Sequence, residues 1–124
     1  MAKKILIIDD AASIRQIVKM VLTQEGFEIV EASDGREALK LLLEQQFDLA
    51  ISDVNMPNVN GIEFLHLLKN DEKYSLHKFM PVIMLTTEIG SDISEKGKAA
   101  GAKAWLVKPF QPAMLLDAVR KLLN

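Results

Sequence analysis

Ile5-Leu6-Ile7-Ile8-Asp9-Asp10 begins with four apolar residues in a row and stops on two acids. Four continuous apolar residues suit a strand covered on both faces, since successive side chains of a strand point to opposite sides. The same kind of run returns at Leu49-Ala50-Ile51 and at Val82-Ile83-Met84-Leu85. Two further runs complete a set of five. Phe27-Glu28-Ile29-Val30-Glu31 alternates, which fits an edge strand with one wetter face. Ala104 to Val107 is the last.

Between these runs the period changes from two to three or four. Ile14, Ile17, Val18, Val21 and Leu22 make one stripe of a helix, and Gly26 stands where a glycine commonly stops one. Ala38, Leu41 and Leu42 mark a second helix, opened near Asp34-Gly35. Ile62, Leu65 and Leu68 mark a third, opened at Asn60-Gly61. Met114, Leu115, Ala118, Val119 and Leu122 mark a fifth, with Pro112 in its first turn, where a missing N–H costs little. The fourth, around Ser91 to Ala100, has a thin stripe of Ile89, Ile93, Gly97 and Ala100. Little burial holds it, so it is expected to move most. Asn70 to Met80 reads as a surface loop before the fourth strand.

Strand and helix alternating five times imply an α/β fold: a doubly wound, five-stranded parallel sheet between two layers of helices. Right-handed crossovers leave few topologies, and an edge second strand fits the order 2-1-3-4-5. The 124 residues read as one domain spanning 1–124, with no output domain. A chain of this size buries roughly two-thirds of its unfolded surface and needs no staples.

Composition removes several classes of function. There is no cysteine, hence no disulfide, thiolate metal site or cysteine nucleophile, which fits a reducing cytosol. The net charge of −2 shows no clustered basic face for nucleic acid. The apolar run behind Lys3-Lys4 is too short for a signal peptide, and a membrane span needs about 20 apolar residues. The expectation is a cytoplasmic protein that binds neither membrane nor nucleic acid, with monomer as the default state. The six methionines read as core fillers.

In an open α/β sheet, ligands bind outside the carboxyl ends of the strands. The first strand ends in Asp9-Asp10, the third in Asp53, the fourth in Thr86-Thr87 and the fifth in Lys108-Pro109. Each has an ordinary reading. Acids after a strand cap helices, Asp53 precedes a turn-rich loop, threonine suits strands, and lysine is commonly a solvated charge. Their coincidence at four strand ends favours chemistry. Two carboxylates at about 4 Å repel by on the order of 4 kcal/mol at a surface-like dielectric. A proton or a cation must relieve that, and an all-oxygen donor set favours a hard cation such as Mg²⁺. A magnesium site with a free carboxylate can accept a phosphoryl group, and a lysine and a hydroxyl could hold the product's oxygens. His66 and His77 fall away from this rim and read as surface or packing residues.

At these positions the sequence resembles the receiver domains of two-component response regulators. The likeness spans essentially the whole chain. It is carried by Ile8-Asp9-Asp10, by Asp53-Val54-Asn55-Met56-Pro57 with Gly61, by Met84-Leu85-Thr86-Thr87-Glu88 and by Lys108-Pro109-Phe110. The stretch from Gly101 to Pro112 is similar to chemotaxis-type members. The implied fold is the flavodoxin-like, CheY-like three-layer sandwich.

The resemblance implies roles residue by residue. Asp53 would be the phosphoacceptor. Asp10 and Asp53 would bind Mg²⁺ (or Mn²⁺) directly, Asp9 through water and Asn55 through its backbone carbonyl. Lys108 would pair with the phosphoryl group, and the bond to Pro109 would be cis. Thr86 would donate its hydroxyl and act as a switch together with Trp105, which stands where the family carries its switch aromatic. Asn55 and Glu88 would tune dephosphorylation. The implied function is a phosphorylation-driven switch rather than a turnover enzyme. A CheA-like histidine kinase would be the donor, and the protein would assist its own phosphorylation and dephosphorylation. The output would pass through the face of the fourth helix, fifth strand and fifth helix to a downstream protein, a flagellar motor switch protein being the candidate. After Glu88 the chain has Ile89-Gly90-Ser91, where the enteric chemotaxis proteins carry two lysines. A phosphate sink or a regulator outside motility is the alternative. A haloacid-dehalogenase-like phosphatase is disfavoured, because those enzymes usually carry an acid/base Asp where this chain has Asn55.

Overall fold

In a computed structural model, which describes residues 2–87, 95 and 98–123, the apolar runs become five strands of one sheet. The elements are β1 (Lys4–Ile8), α1 (Ala12–Thr23), β2 (Glu28–Ala32), α2 (Gly35–Glu44), β3 (Leu49–Asp53), α3 (Gly61–Asn70), a 3-10 helix (Glu72–His77), β4 (Val82–Thr86), β5 (Ala104–Val107) and a C-terminal helix (Pro112–Leu123). The strand order is β2-β1-β3-β4-β5, and every pairing is parallel. This is the doubly wound arrangement expected from the alternating pattern.

Parity along each strand divides the core in two. Ile5, Ile7, Leu49, Ile51, Ile83 and Leu85 pack against Val18 and Leu22 of α1 and Leu115 and Val119 of the C-terminal helix. Leu6, Ile8, Ala50, Val82 and Met84 pack against α2 and α3 through Leu42, Phe64, Leu65 and Leu68. Both faces of β1, β3 and β4 are therefore covered, which is why their runs are apolar without alternation. Burying one such aliphatic side chain contributes roughly 1.5–3 kcal/mol. β2 lies at an edge and remains largely half-exposed, as its alternation implies.

Helix ends follow from local chemistry. The Asp34 side chain accepts from the Glu37 N–H at 2.8 Å and caps α2. Asn60 accepts from the Glu63 N–H at 2.8 Å, and the Glu63 carboxylate accepts from the Asn60 N–H at 3.2 Å, a reciprocal capping box on α3. α1 ends on Gly26 at φ +88°: the Gly26 N–H donates to the Thr23 carbonyl and the Phe27 N–H to the Leu22 carbonyl. A left-handed residue closes these two bonds, and glycine takes that conformation without a Cβ penalty.

Three expectations need correction. Ile17 is 44% exposed: at 100° per residue it lies at the margin of the stripe centred on Ile14, Val18 and Val21. The methionines do not all fill the core, since Met20 and Met114 are exposed while Met80 and Met84 are buried. Asn70 to Met80 is not a surface loop: it contains the 3-10 helix, and Tyr74 and His77, three residues apart, are both buried. That segment also presents Leu76 and Phe79 to solvent, 69% and 87% exposed. In the predicted fourth helix only residues 95 and 98–100 are described, and they are helical. The expectations for the rest of it, and for Glu88, fall outside the described residues.

Candidate functional site

The register of the sheet brings the strand ends to one rim. Ile8 of β1 pairs with Ser52 of β3, Asp53 with Leu85 of β4, and Thr86 with Val107 of β5. Asp9 and Asp10 follow β1, Asp53 and Thr86 are the last residues of their strands, and Lys108 follows β5. One carboxylate oxygen from each of Asp9, Asp10 and Asp53 lies within 4.8 Å of the others. Thr86 is fully buried and carries an interaction of its own.

The three acids differ in their surroundings. Asp9 is buried, and both its oxygens are engaged. Oδ1 accepts from the Ala11 N–H at 2.9 Å, and Oδ2 accepts from Lys108 Nζ at 2.9 Å. The N-cap of α1 is Ala11, with no side-chain cap, so Asp9 is not the helix cap that its position allows. Asp53 is buried and lies 3.4 Å from Lys108 Nζ. Asp10 is exposed, open to solvent and to any ion. Lys108 reaches in from a cis peptide bond to Pro109, the geometry expected there.

Burial pushes the Asp53 carboxyl above its usual range. The nearby Asp9 charge adds to that, while the Lys108 ammonium and the Asn55 backbone hydrogen bond pull it back. Among the described residues, one lysine against three acids leaves an electrostatic deficit that a divalent cation would fill. The oxygen-only donor set, one member of it solvent-exposed, fits a hard ion that keeps several waters.

Backbone packing fixes where Asp53 sits. A Cβ on Gly61 would lie 2.2 Å from the Asp53 carbonyl oxygen, and the Gly61 N–H donates to the Val54 carbonyl at 2.8 Å. The start of α3 therefore closes directly on the end of β3, which only a residue without a side chain permits. Asn55 is exposed in the intervening loop, on the same rim. Trp105, opposite Met84 in the sheet, is half-buried against the α2–α3 side of the core. His66 is exposed on α3, and His77 is a packing residue at a distance from the rim. The sequence reading did not single out Arg15, whose guanidinium donates to the Asp9 carbonyl oxygen. Its signal was there to be used: an arginine one turn into the helix that follows the acid pair.

The model of the response regulator receiver domain matches residues 5–120. The chain belongs to the response regulator receiver family. It is 38% identical over 120 residues to the chemotaxis protein CheY of Pseudomonas aeruginosa, covering 96% of this chain and 94% of that protein. It is 37% identical to the transcriptional regulatory protein SrrA of Staphylococcus aureus, covering 100% of this chain but 49% of that protein. Among solved structures, the chemotaxis response regulator CheY4 of Vibrio cholerae superposes with a TM-score of 0.91 at 45% identity, covering 99% of this chain and 100% of that one. This receiver domain is thus a phosphorelay signalling protein, of a kind that accepts phosphate from histidine kinases and acts on downstream targets, not a turnover enzyme. Among the described residues no helix is long and apolar enough to cross a membrane.

Proposed function

We propose that this receiver domain accepts a phosphoryl group on Asp53 in a reaction that needs Mg²⁺ (Mn²⁺ serving in its place). The observation that carries the proposal is the cluster of Asp9, Asp10 and Asp53, with Lys108 paired to Asp9 and Asp53. Asp53 and Asp10, with the Asn55 carbonyl, would hold the ion, which supplies charge neutralisation for the incoming phosphoryl oxygens. Asp9, with both oxygens engaged within the protein, would act through water.

The donor is a phosphohistidine of a chemotaxis-type kinase. An Asp53 oxygen attacks phosphorus, the P–N bond breaks, and the imidazole leaves with the electron pair of that bond. The product is an acyl phosphate on Asp53. Lys108 follows the new charge from Asp9 to the phosphoryl oxygens, and Thr86 donates its hydroxyl to one of them. Water later attacks the acyl phosphate and restores the carboxylate, with Asn55 and Glu88 tuning the rate. Roughly two added negative charges then bias the two-state surface around Thr86 and Trp105. β5 is an edge strand beside the C-terminal helix, and a groove between them is lined by Ala104, Leu106, Met114 and Leu122. We place the output there, toward a downstream protein, a flagellar motor switch protein being the candidate. The similarity to two chemotaxis proteins supports that assignment.

Incubation with Mg²⁺ and acetyl phosphate, or with a phosphorylated histidine kinase, tests the reading by intact mass. The protein gains one phosphoryl group, loses it in alkali and to hydroxylamine as an acyl phosphate does, and gains none in EDTA. Equal uptake by Asp53→Asn would remove Asp53 as the acceptor.

A further inference from the structure

We propose that Arg15 is a positioning residue for the metal site, clamping the Asp9-Asp10 peptide so that the Asp10 carboxylate stays aimed at the rim. The inference rests on the reading of the rim as a Mg²⁺ site and goes beyond it, to a side chain that touches neither metal nor phosphoryl group.

Asp9 is held at every polar atom. Its N–H donates to the Ala32 carbonyl at 3.1 Å, continuing the ladder one step past β1. Its carboxylate is bonded to Ala11 and Lys108. Its carbonyl oxygen lies beyond the last strand pairing, and there Arg15 Nη1 donates to it at 2.5 Å. Arg15 is itself tethered: Nε donates to Glu31 Oε1 of β2 at 3.3 Å, and Glu31 is also paired with Lys19 at 3.5 Å. The Arg15 side chain is only 18% exposed. Thus α1, the edge strand β2 and the end of β1 are joined at one point by one planar group.

The consequence follows from where that carbonyl sits. The Asp9 C=O is half of the Asp9–Asp10 peptide plane, and peptide planes rotate as rigid units. Fixing the carbonyl fixes the plane that carries the Asp10 N and Cα, and so the point from which the Asp10 side chain departs. Asp10 is exposed, so burial does little to aim it. A guanidinium can grip a carbonyl and a carboxylate at once because its donors form a rigid fork, which an ammonium cannot reproduce.

The sign of the effect separates positioning from simple charge. A cation beside a divalent ion repels it, so removing Arg15 for electrostatic reasons alone would tighten Mg²⁺ binding. Loss of positioning weakens it. Removing the outer partner of a metal ligand commonly weakens metal binding about 10–100-fold.

Calorimetric titration with Mg²⁺, at a temperature where circular dichroism shows each protein folded, provides the test. The Arg15→Ala protein is expected to bind Mg²⁺ about tenfold more weakly than wild type. Half-maximal phosphorylation by acetyl phosphate should then need correspondingly more Mg²⁺, with the rate at saturating Mg²⁺ nearly restored. Glu31→Gln keeps an acceptor for Nε and should bind Mg²⁺ like wild type, whereas Glu31→Ala and Arg15→Lys should fall between. These last two read the same quantity if Arg15→Ala does not fold. Affinity within about twofold of wild type, or tighter, in all three weakening variants overturns the inference while the rim reading stands. No Mg²⁺ binding by the wild-type protein overturns the rim reading and the inference with it.

Discussion

At the scale of single residues, the rim is an arrangement of charges under tension. Asp53 ionises at a higher pH than an ordinary carboxyl, first because it is buried and second because Asp9 is near. The raised value means that the folded state holds the proton more tightly than the unfolded chain does. Stability from this group is therefore full below the ordinary carboxylate range and is lost as pH rises through the folded value. At neutral pH without metal, ionised Asp53 opposes folding. Asp53→Asn should then stabilise the metal-free protein by on the order of 1 kcal/mol, since Lys108 offsets part of the repulsion. Urea unfolding in EDTA reads this: a gain at about pH 7 that disappears near pH 3.5 is expected, as the carboxyl there is protonated in both states. A loss of stability at neutral pH would show that Asp53 is held by its partners rather than strained. The sequence placed Asp9, Asp10, Asp53, Thr86 and Lys108 at strand ends, and the structure clusters the three acids and pairs the lysine with Asp9 and Asp53. It did not show that Asp9 would be occupied by Ala11 and Lys108, because side-chain partners at one rim come from segments far apart in the chain.

Among the elements, the segment between α3 and β4 departs furthest from its sequence reading. Its 3-10 helix is fastened to the opposite end of the sheet from the acidic rim. The Phe47 N–H donates to His77 Nε2 at 3.1 Å, and Lys69 Nζ donates to the carbonyls of Lys78 and Met80 at 2.7 and 3.1 Å. Because Nε2 accepts, the ring is neutral and its proton is on Nδ1. Burial lowers the His77 pKa, in keeping with this. The unfolded chain takes up a proton near the ordinary value while the folded ring resists it. The His77 contribution is thus present above about pH 6.5 and is lost as pH falls from there toward the folded value. Urea unfolding of wild type should show declining stability between about pH 7.5 and 5.5, and His77→Ala should flatten that slope. The same substitution should lower stability by about 1–3 kcal/mol at pH 7.5, because the Phe47 N–H is left unpaired. A slope unchanged by the substitution would assign the titration to other groups. Periodicity missed this element because a 3-10 turn is too short to show a repeat, and the bond that holds it spans 30 residues.

For the molecule as a whole, the parallel sheet gathers three acids around the Asp9–Lys108–Asp53 pairing at one edge, and that excess of like charge works against folding. A cation bound only by the folded state shifts the balance by mass action. Magnesium at a hundredfold excess over its dissociation constant should raise unfolding stability by about 2.7 kcal/mol, and EDTA should return it to the starting value. Thermal melts with Mg²⁺ and with NaCl at equal ionic strength provide the comparison. A melting shift that NaCl reproduces would count against a specific site, because screening alone would then account for it.

The fold class, the strand order and the identity of the rim residues were legible in the chain itself. Alternating periods of two and three to four residues specify strand and helix, right-handed crossovers leave few ways to wind them, and the alternation of the second run marks it as the edge. The caps at Asp34 and Asn60 were legible too, because capping is local. Tertiary packing alone determined that Asp9 is locked to Lys108, that α3 begins against the Asp53 carbonyl, that Arg15 bridges α1 and β2 at the Asp9 peptide, and that His77 is buried. Each of these depends on groups distant along the chain meeting at hydrogen-bond range, and a pattern of neighbouring residues carries no record of such meetings.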